Sequence, residues 1–162
     1  MIDKTTPAGT TMNIFLAGII QGSIPEGTIH RQDYRGRIKS ILAKFLPGAD
    51  VYCPIENHPQ SLGYDDRRAQ DVFSGHVKKA AESDLLITYI PEASMGTAVE
   101  MWEAYKNGTP IVTISPLAEN WVVKLLSSRV VPGLDEFEAL AESGELSAIV
   151  CRRKGENCSG HS

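Results

Sequence analysis

The sequence predicts an α/β fold: a single-domain, Rossmann-like or flavodoxin-like three-layer sandwich with a mostly parallel five-stranded sheet. Three observations point there. Short apolar runs alternate with segments of helical periodicity through most of the chain. The runs 12–20 (MNIFLAGII) and 84–90 (DLLITYI) are almost continuously apolar, as strands covered on both faces are. Glycine and proline punctuate the junctions between runs.

The elements follow in order. The first strand ends near Gly18 and Gly22. Ile38, Ile41, Leu42 and Phe45 then fall at helical spacing, with Asp33 as the N-cap and Pro47-Gly48 as the stop. Residues 49–53 read as a second strand, and 54–68 as a long polar loop, longer than a simple turn needs. Phe73, Val77 and Ala80 mark a second helix, and 84–90 a third strand closed by Pro91. Ala98, Met101, Trp102 and Tyr105 give the apolar stripe of a third helix, ended by Gly108. A fourth strand (109–115), a helix (117–126), a short strand (129–131) and a last helix (134–141) complete the domain. The organisation expected is a disordered leader over 1–11, a domain over 12–144 and a loose polar tail over 145–162.

At 162 residues, the chain is long enough for one domain with a substantial core. Its formal net charge of -4 argues against a nucleic-acid polymer as partner, which would call for a basic face. Basic residues occur only in scattered clusters, such as Arg35, Arg37 and Lys39, or Arg152, Arg153 and Lys154. No apolar run approaches the ~20 residues that span a bilayer, so no membrane partner is expected. Cys53, Cys151 and Cys158 match neither a disulfide framework nor a zinc site, and a reducing, cytoplasmic setting is the corresponding expectation.

In an open parallel sheet, ligands sit at the carboxyl ends of the strands. The residues just after the third strand are the most informative: PEASMGTAVEMW, 91–102. They leave a buried strand, turn at Ser94-Met95-Gly96 and open a helix at Thr97. Free N–H groups at a helix start can bind an anion or a hydroxyl. Glu100, read as lying in the first turn, is a carboxylate at the sheet edge. It is suited to attack an electrophilic carbon or to stabilise the oxocarbenium-like transition state of glycosidic cleavage. The same four residues, Thr97 to Glu100, also read as a capping box, with no chemistry required.

The stretch 84–116 resembles the core of the nucleoside 2-deoxyribosyltransferase superfamily, which includes nucleotide N-glycosidases such as the hydroxymethyl-CMP hydrolases. The likeness rests on Asp84, Gly96, Thr97, Glu100, Ala104, Gly108 and Pro110, and more weakly on the glycine-bearing FLAGII segment. It implies that Glu100 is the nucleophile or oxocarbenium partner. It implies that Gly18, Ile19, Ile20 and Ser23 lie against sugar or phosphate, and that Ser94, Met95, Gly96 and Thr97 line the sugar pocket. It further implies a homo-oligomer, dimer or higher, in which Asn120 could face a neighbouring subunit's site. Neither metal nor organic cofactor is called for.

One departure bears on mechanism. The family commonly has an aspartate eight residues before the strand-opening aspartate, and here that position is His76. Histidine can serve as a general acid near neutral pH. Packing between Phe73 and Ala80 on the helix's apolar face is the simpler account, and Asp71 is an alternative acid. Tyr64, Asp65 and Asp66 are candidates for nucleobase contact or for a solvated loop. Arg31 and Arg35 are candidates for a 5′-phosphate. The expected function is cleavage or transfer at the N-glycosidic bond of a nucleoside or nucleoside 5′-monophosphate. Two alternatives stand beside it. A cytokinin-activating-type phosphoribohydrolase is disfavoured by the missing P-G-G-x-G-T loop. A nucleotide-binding sensor without turnover is kept open by His76.

Overall fold

The computed structural model describes residues 11–22, 24 and 28–155. Five strands, β1 (Asn13–Gly18), β2 (Asp50–Tyr52), β3 (Leu85–Tyr89), β4 (Ile111–Ile114) and β5 (Arg129–Val131), form a wholly parallel sheet in the order β2-β1-β3-β4-β5. Gly18 at the end of β1 is in register with Tyr89 at the end of β3. The chain goes from β1 outward to β2 on one side and to β3 on the other. The strand order therefore reverses between β1 and β3, where a crevice opens in sheets of this kind.

Alternation along the strands divides the core into two layers. Ile14, Leu16, Leu85, Ile87, Val112 and Ile114 face one side, where α1 (Asp33–Phe45), α6 (Leu134–Glu142) and α7 (Glu145–Lys154) pack. Phe15, Ala17, Leu86 and Ile111 face the other, against α3 (Asp66–Glu82), α4 (Met95–Lys106) and α5 (Trp121–Leu126). This is the three-layer sandwich expected from strands apolar on both faces.

Several local expectations are corrected. The stretch 54–68 is not a plain loop: it holds the short helix α2 (Pro54–Asn57) and a 3-10 turn, Ser61–Gly63. Proline at the first position of α2 supplies the fixed φ that a helix start needs. Gln32, not Asp33, precedes α1, and Asp33 is its first helical residue. The stripe on α4 splits into two faces: Met101 and Ala104 are buried, whereas Trp102 and Tyr105 are half exposed and stacked on each other. Spacing by three and four admits both faces of a helix that is apolar nearly all round.

The expected polar tail after Gly144 is also corrected. Residues 145–154 form α7, whose Leu146, Ile149 and Val150 enter the α1/α6 core. Gly144, at φ +78°, makes the sharp turn that folds it back. Its hydrophobic residues are confined to positions 146–151 and give way to three consecutive basic residues, so the segment as a whole reads as polar. Cys151 on this helix is disulfide-bonded, while Cys53 is buried and free. The leader expected over 1–11 lies outside the described residues except for Thr11. No helix among the described residues is long and apolar enough to cross a membrane.

Because α7 carries part of the core, Leu146→Ala should lower unfolding stability by roughly 2–5 kcal/mol in urea titration. A loose tail would tolerate the change within error.

Candidate functional site

A cavity of about 240 Å³ opens at the carboxyl ends of β1 and β3, at the point where the strand order reverses. Its floor and polar side are built by two segments. Gly18, Ile20, Gln21 and Gly22 follow β1, and Ser94, Met95, Gly96, Thr97 and Glu100 follow β3. Its other side is largely apolar, formed by Pro54 and Leu62 and by Ala69, Val72 and Phe73 on α3, with His76 and Tyr64 among them.

Gly18 is needed for this geometry. A β-carbon there would lie 2.5 Å from the Tyr34 hydroxyl, which itself donates to the Ile19 carbonyl at 3.1 Å. Gly22 has φ +55°, a conformation open to glycine, and packs against His30. The loop that leaves β1 thus depends on glycine at both ends.

The start of α4 excludes the capping-box reading of Glu100. The helix begins at Met95, two residues earlier than the sequence suggests, with Ser94 as N-cap. The Ser94 hydroxyl accepts from the Thr97 N–H at 3.5 Å and meets the Thr97 hydroxyl at 3.0 Å. Ser94 therefore does the capping, and Gly96 is helical. Glu100 is the sixth residue of the helix, in its second turn, too far in to close a capping box. It is 8% exposed and lines the cavity. Among the described residues it has no hydrogen bond and no ion pair. Burial pushes its pKa from 4.5 up to about 8, and the positive charge of Arg35 opposes the rise.

His76 behaves differently from a general acid. It sits edge-on to His58, Tyr52 and Phe15, at centroid distances of 5.2, 5.8 and 6.2 Å. Burial, reinforced by His58 and Lys79, lowers its pKa from 6.5 to about 4. The imidazole is thus neutral at physiological pH, and its buried Nε2 has no hydrogen-bond partner. An imidazolium acid is not supplied here. Glu100 is not among the groups that shift His76, so the expected rise from a neighbouring carboxylate is not found.

The remaining candidates separate cleanly. Gly18, Ile20, Ser94, Met95, Gly96 and Thr97 line the same cavity as Glu100 and His76. Ile19 is buried and points to the opposite layer, beside Tyr34 and Tyr89. Asn120 is exposed and caps α5 through Val122 N–H at 3.0 Å, away from the cavity. Ser23 lies outside the described residues. Asp71 is exposed and does not line the cavity. Arg31 is exposed and paired with Asp33, and Arg35 is buried under β1, so neither is open to a phosphate. Asp65 caps α3, and Asp84 accepts from the Asn13 N–H at 2.8 Å, a structural role.

Sequence reasoning does not find the apolar wall. Ala69, Val72, Phe73 and His76 fall at i, i+3, i+4 and i+7, one face of α3. That spacing is visible in the sequence, but it is equally the pattern of a helix face buried in a core. Tyr64 accompanies them, bonded at 3.2 Å to His58 Nδ1 and covered by the Arg68 guanidinium at 3.8 Å.

Solved structures with this architecture include a 2-deoxyribosyltransferase from the psychrotolerant bacterium Bacillus psychrosaccharolyticus. It aligns over 78% of this chain and 90% of its own, at 18% identity and a TM-score of 0.56. The fold is that of a 2-deoxyribosyltransferase. A conserved protein from Enterococcus faecalis V583 aligns over 82% of this chain and 98% of its own, at 19% identity and the same TM-score. No protein-family model and no curated protein sequence matches the chain. At such identities the likeness speaks to architecture, and the site must be judged from its own residues.

The two shifted groups set a pH signature of stability. Glu100 holds its proton more tightly folded than unfolded, so stability falls as pH rises from 4.5 to about 8. His76 holds its proton less tightly folded, so stability falls as pH drops from 6.5 to about 4. The two oppose each other between 4.5 and 6.5, leaving a net decline between 6.5 and 8. Its slope should be at most about 1.4 kcal/mol per pH unit. In urea titrations Glu100→Gln should remove that decline and be the more stable protein at pH 8.5. An unchanged slope in the variant would assign the decline to another group.

Proposed function

We propose that this protein cleaves or transfers the N-glycosidic bond of a nucleoside, with Glu100 as nucleophile. The observation that carries the reading is a buried carboxyl, free of protein hydrogen bonds, at the β1/β3 edge of an otherwise half-apolar cavity. The cavity's division suits an amphiphilic ligand: sugar hydroxyls toward Ser94, Thr97 and Gln21, a flat base toward Leu62, Tyr64 and Phe73. No lysine or arginine lines it among the described residues, which favours an uncharged nucleoside over a 5′-monophosphate. The same observation speaks against a phosphoribohydrolase.

In the first step a Glu100 carboxylate oxygen bonds to C1′ as the C1′–N bond breaks. The electron pair of that bond leaves with the base, which takes a proton from water. Attack on C1′ by water then releases the sugar and gives hydrolysis, while attack by a second base gives transfer. The carboxylate form is required, and at pH 7 a group titrating at about 8 is roughly one-tenth ionised. His76, neutral, offers the base one hydrogen-bonding nitrogen and no formal proton.

The test is a panel of nucleosides, each with and without its 5′-phosphate, assayed for free base. Release from nucleosides, lost by orders of magnitude in folded Glu100→Gln, is the expected result. Full turnover in that variant would sink the assignment. Thermal stabilisation by a nucleotide without any release would instead favour a sensor.

The pH–rate profile follows from the ionisations. On an active substrate, kcat/KM should rise with pH to a plateau above about 8, as Glu100 loses its proton. No falling limb should appear near 6.5, because His76 is already neutral there. A bell centred near 6.5 would contradict both assignments.

A second copy of the chain is the natural partner in this reading. Val99, Trp102 and Tyr105 on α4 and Trp121, Val122 and Leu125 on the adjacent α5 are exposed, Trp121 by 78%. Contiguous apolar surface of this kind is typical of interfaces between subunits. Light scattering should give twice 17.6 kDa for the native chain and 17.6 kDa for Trp102→Glu. A native monomer at working concentration overturns the dimer.

A further inference from the structure

Two charged side chains are buried among the described residues, Arg35 at 3% exposure and Glu100 at 8%. They have opposite signs, and both lie at the carboxyl edge of the sheet. Neither enters an ion pair among the described residues. Arg35 Nη1 donates to the Leu16 carbonyl at 2.9 Å, and Nη2 to the Gly18 carbonyl at 3.2 Å. Its Nε donates to Gln32 Oε1 at 2.6 Å. Gln32 in turn donates through Nε2 to the Ile19 carbonyl at 3.1 Å. With the Tyr34 hydroxyl also on the Ile19 carbonyl, three side chains from the start of α1 hold the end of β1. Gly18, the residue so held, lines the cavity together with Glu100.

A buried guanidinium without a carboxylate is costly, and carbonyl dipoles offset only part of that cost. The low-dielectric interior lets its charge act beyond contact distance. A direct ion pair would occupy the lone pairs of Glu100 and hold the carboxylate away from a sugar carbon. A counter-charge set apart from it eases ionisation and leaves both oxygens open to the cavity.

We propose that Arg35 is a positioning residue for Glu100, fixing the Gly18 edge of the cavity and acting as a counter-charge that does not touch the carboxylate. The proposal rests on the reading that Glu100 does the chemistry. Other groups bear on Glu100 as well. Tyr34 faces it from α1, with Tyr89 and Cys53 beyond, and His76 and Tyr64 face the cavity from α3 and the segment before it. Tyr34 is pushed well above its ordinary range by burial, and His76 is neutral, so neither carries charge in the relevant pH window. Arg35 is the cation that opposes the effect of burial on Glu100.

The experiment is a 13C titration of side-chain carboxyls in the full chain, with Glu100 identified by loss of its signal in Glu100→Gln. The native midpoint is expected near 8. Arg35→Gln should move it to higher pH. Arg35→Lys, which keeps the charge, should move it less while shifting the Gly18 and Ile19 amide signals. An unchanged midpoint in folded Arg35→Gln overturns the proposal. If Arg35→Gln does not fold, adding Glu100→Gln should restore folding. Failure of that rescue makes Arg35 a purely structural residue and overturns the counter-charge. The titration needs no substrate, so it reads out even if no nucleoside is cleaved. A shifted midpoint without turnover counts against glycosidic chemistry alone, and turnover with an unshifted midpoint counts against Arg35 alone.

Discussion

Keeping a carboxyl out of water at the edge of a parallel sheet is the constraint around which this molecule is arranged. Glu100 is placed there by a helix whose side-chain capping falls to Ser94, well before it. Without that division of labour the carboxyl would be consumed in satisfying backbone N–H groups. Its burial raises the energy of the charged form, and the fold answers with a guanidinium held on carbonyls rather than on the carboxylate. The glycine at the end of β1 admits the Tyr34 hydroxyl that completes this arrangement. Helix α1, the β1 terminus and α4 are therefore one electrostatic unit, though the two helices belong to opposite layers of the sandwich.

Much of the architecture is legible in the sequence because the dominant signal is strong. Strands such as LLITY are buried on both faces, and an uninterrupted apolar run of that length suits little else between two helices of a small domain. Helix boundaries are less legible. A start of α4 at Thr97 follows from the capping-box pattern, yet a serine three residues earlier takes the role. The last helix escapes a sequence reading since its short apolar stretch, within 146–151, is set among polar and basic residues. Its burial depends on packing against α1 and α6, which no local window contains.

The site divides in the same way. The motif-bearing residues after β1 and β3 are readable because topology alone brings strand ends together. The wall from α3 is not, since Ala69, Val72 and Phe73 look like ordinary core until the sheet is found to leave them uncovered. Ile19 illustrates the limit of assigning a whole loop: it turns to the opposite layer beside Tyr34, while Gly18 and Ile20 on either side of it line the cavity. The charge state of His76 lies beyond a sequence reading, because it turns on a crowd of rings from β1, β2 and the end of α2 that sequence distance conceals.

The cavity is assembled from stretches of chain that share little. Its polar side is tied to the sheet through strand ends, a glycine contact and a helix cap. Its apolar side comes from residues 54–76, the stretch that follows the edge strand β2 and continues into α3. Under the proposed function, selection of the base and handling of the glycosidic bond would fall to different stretches of sequence. Substitution in the apolar stretch would then alter base preference while the carboxyl side keeps its geometry.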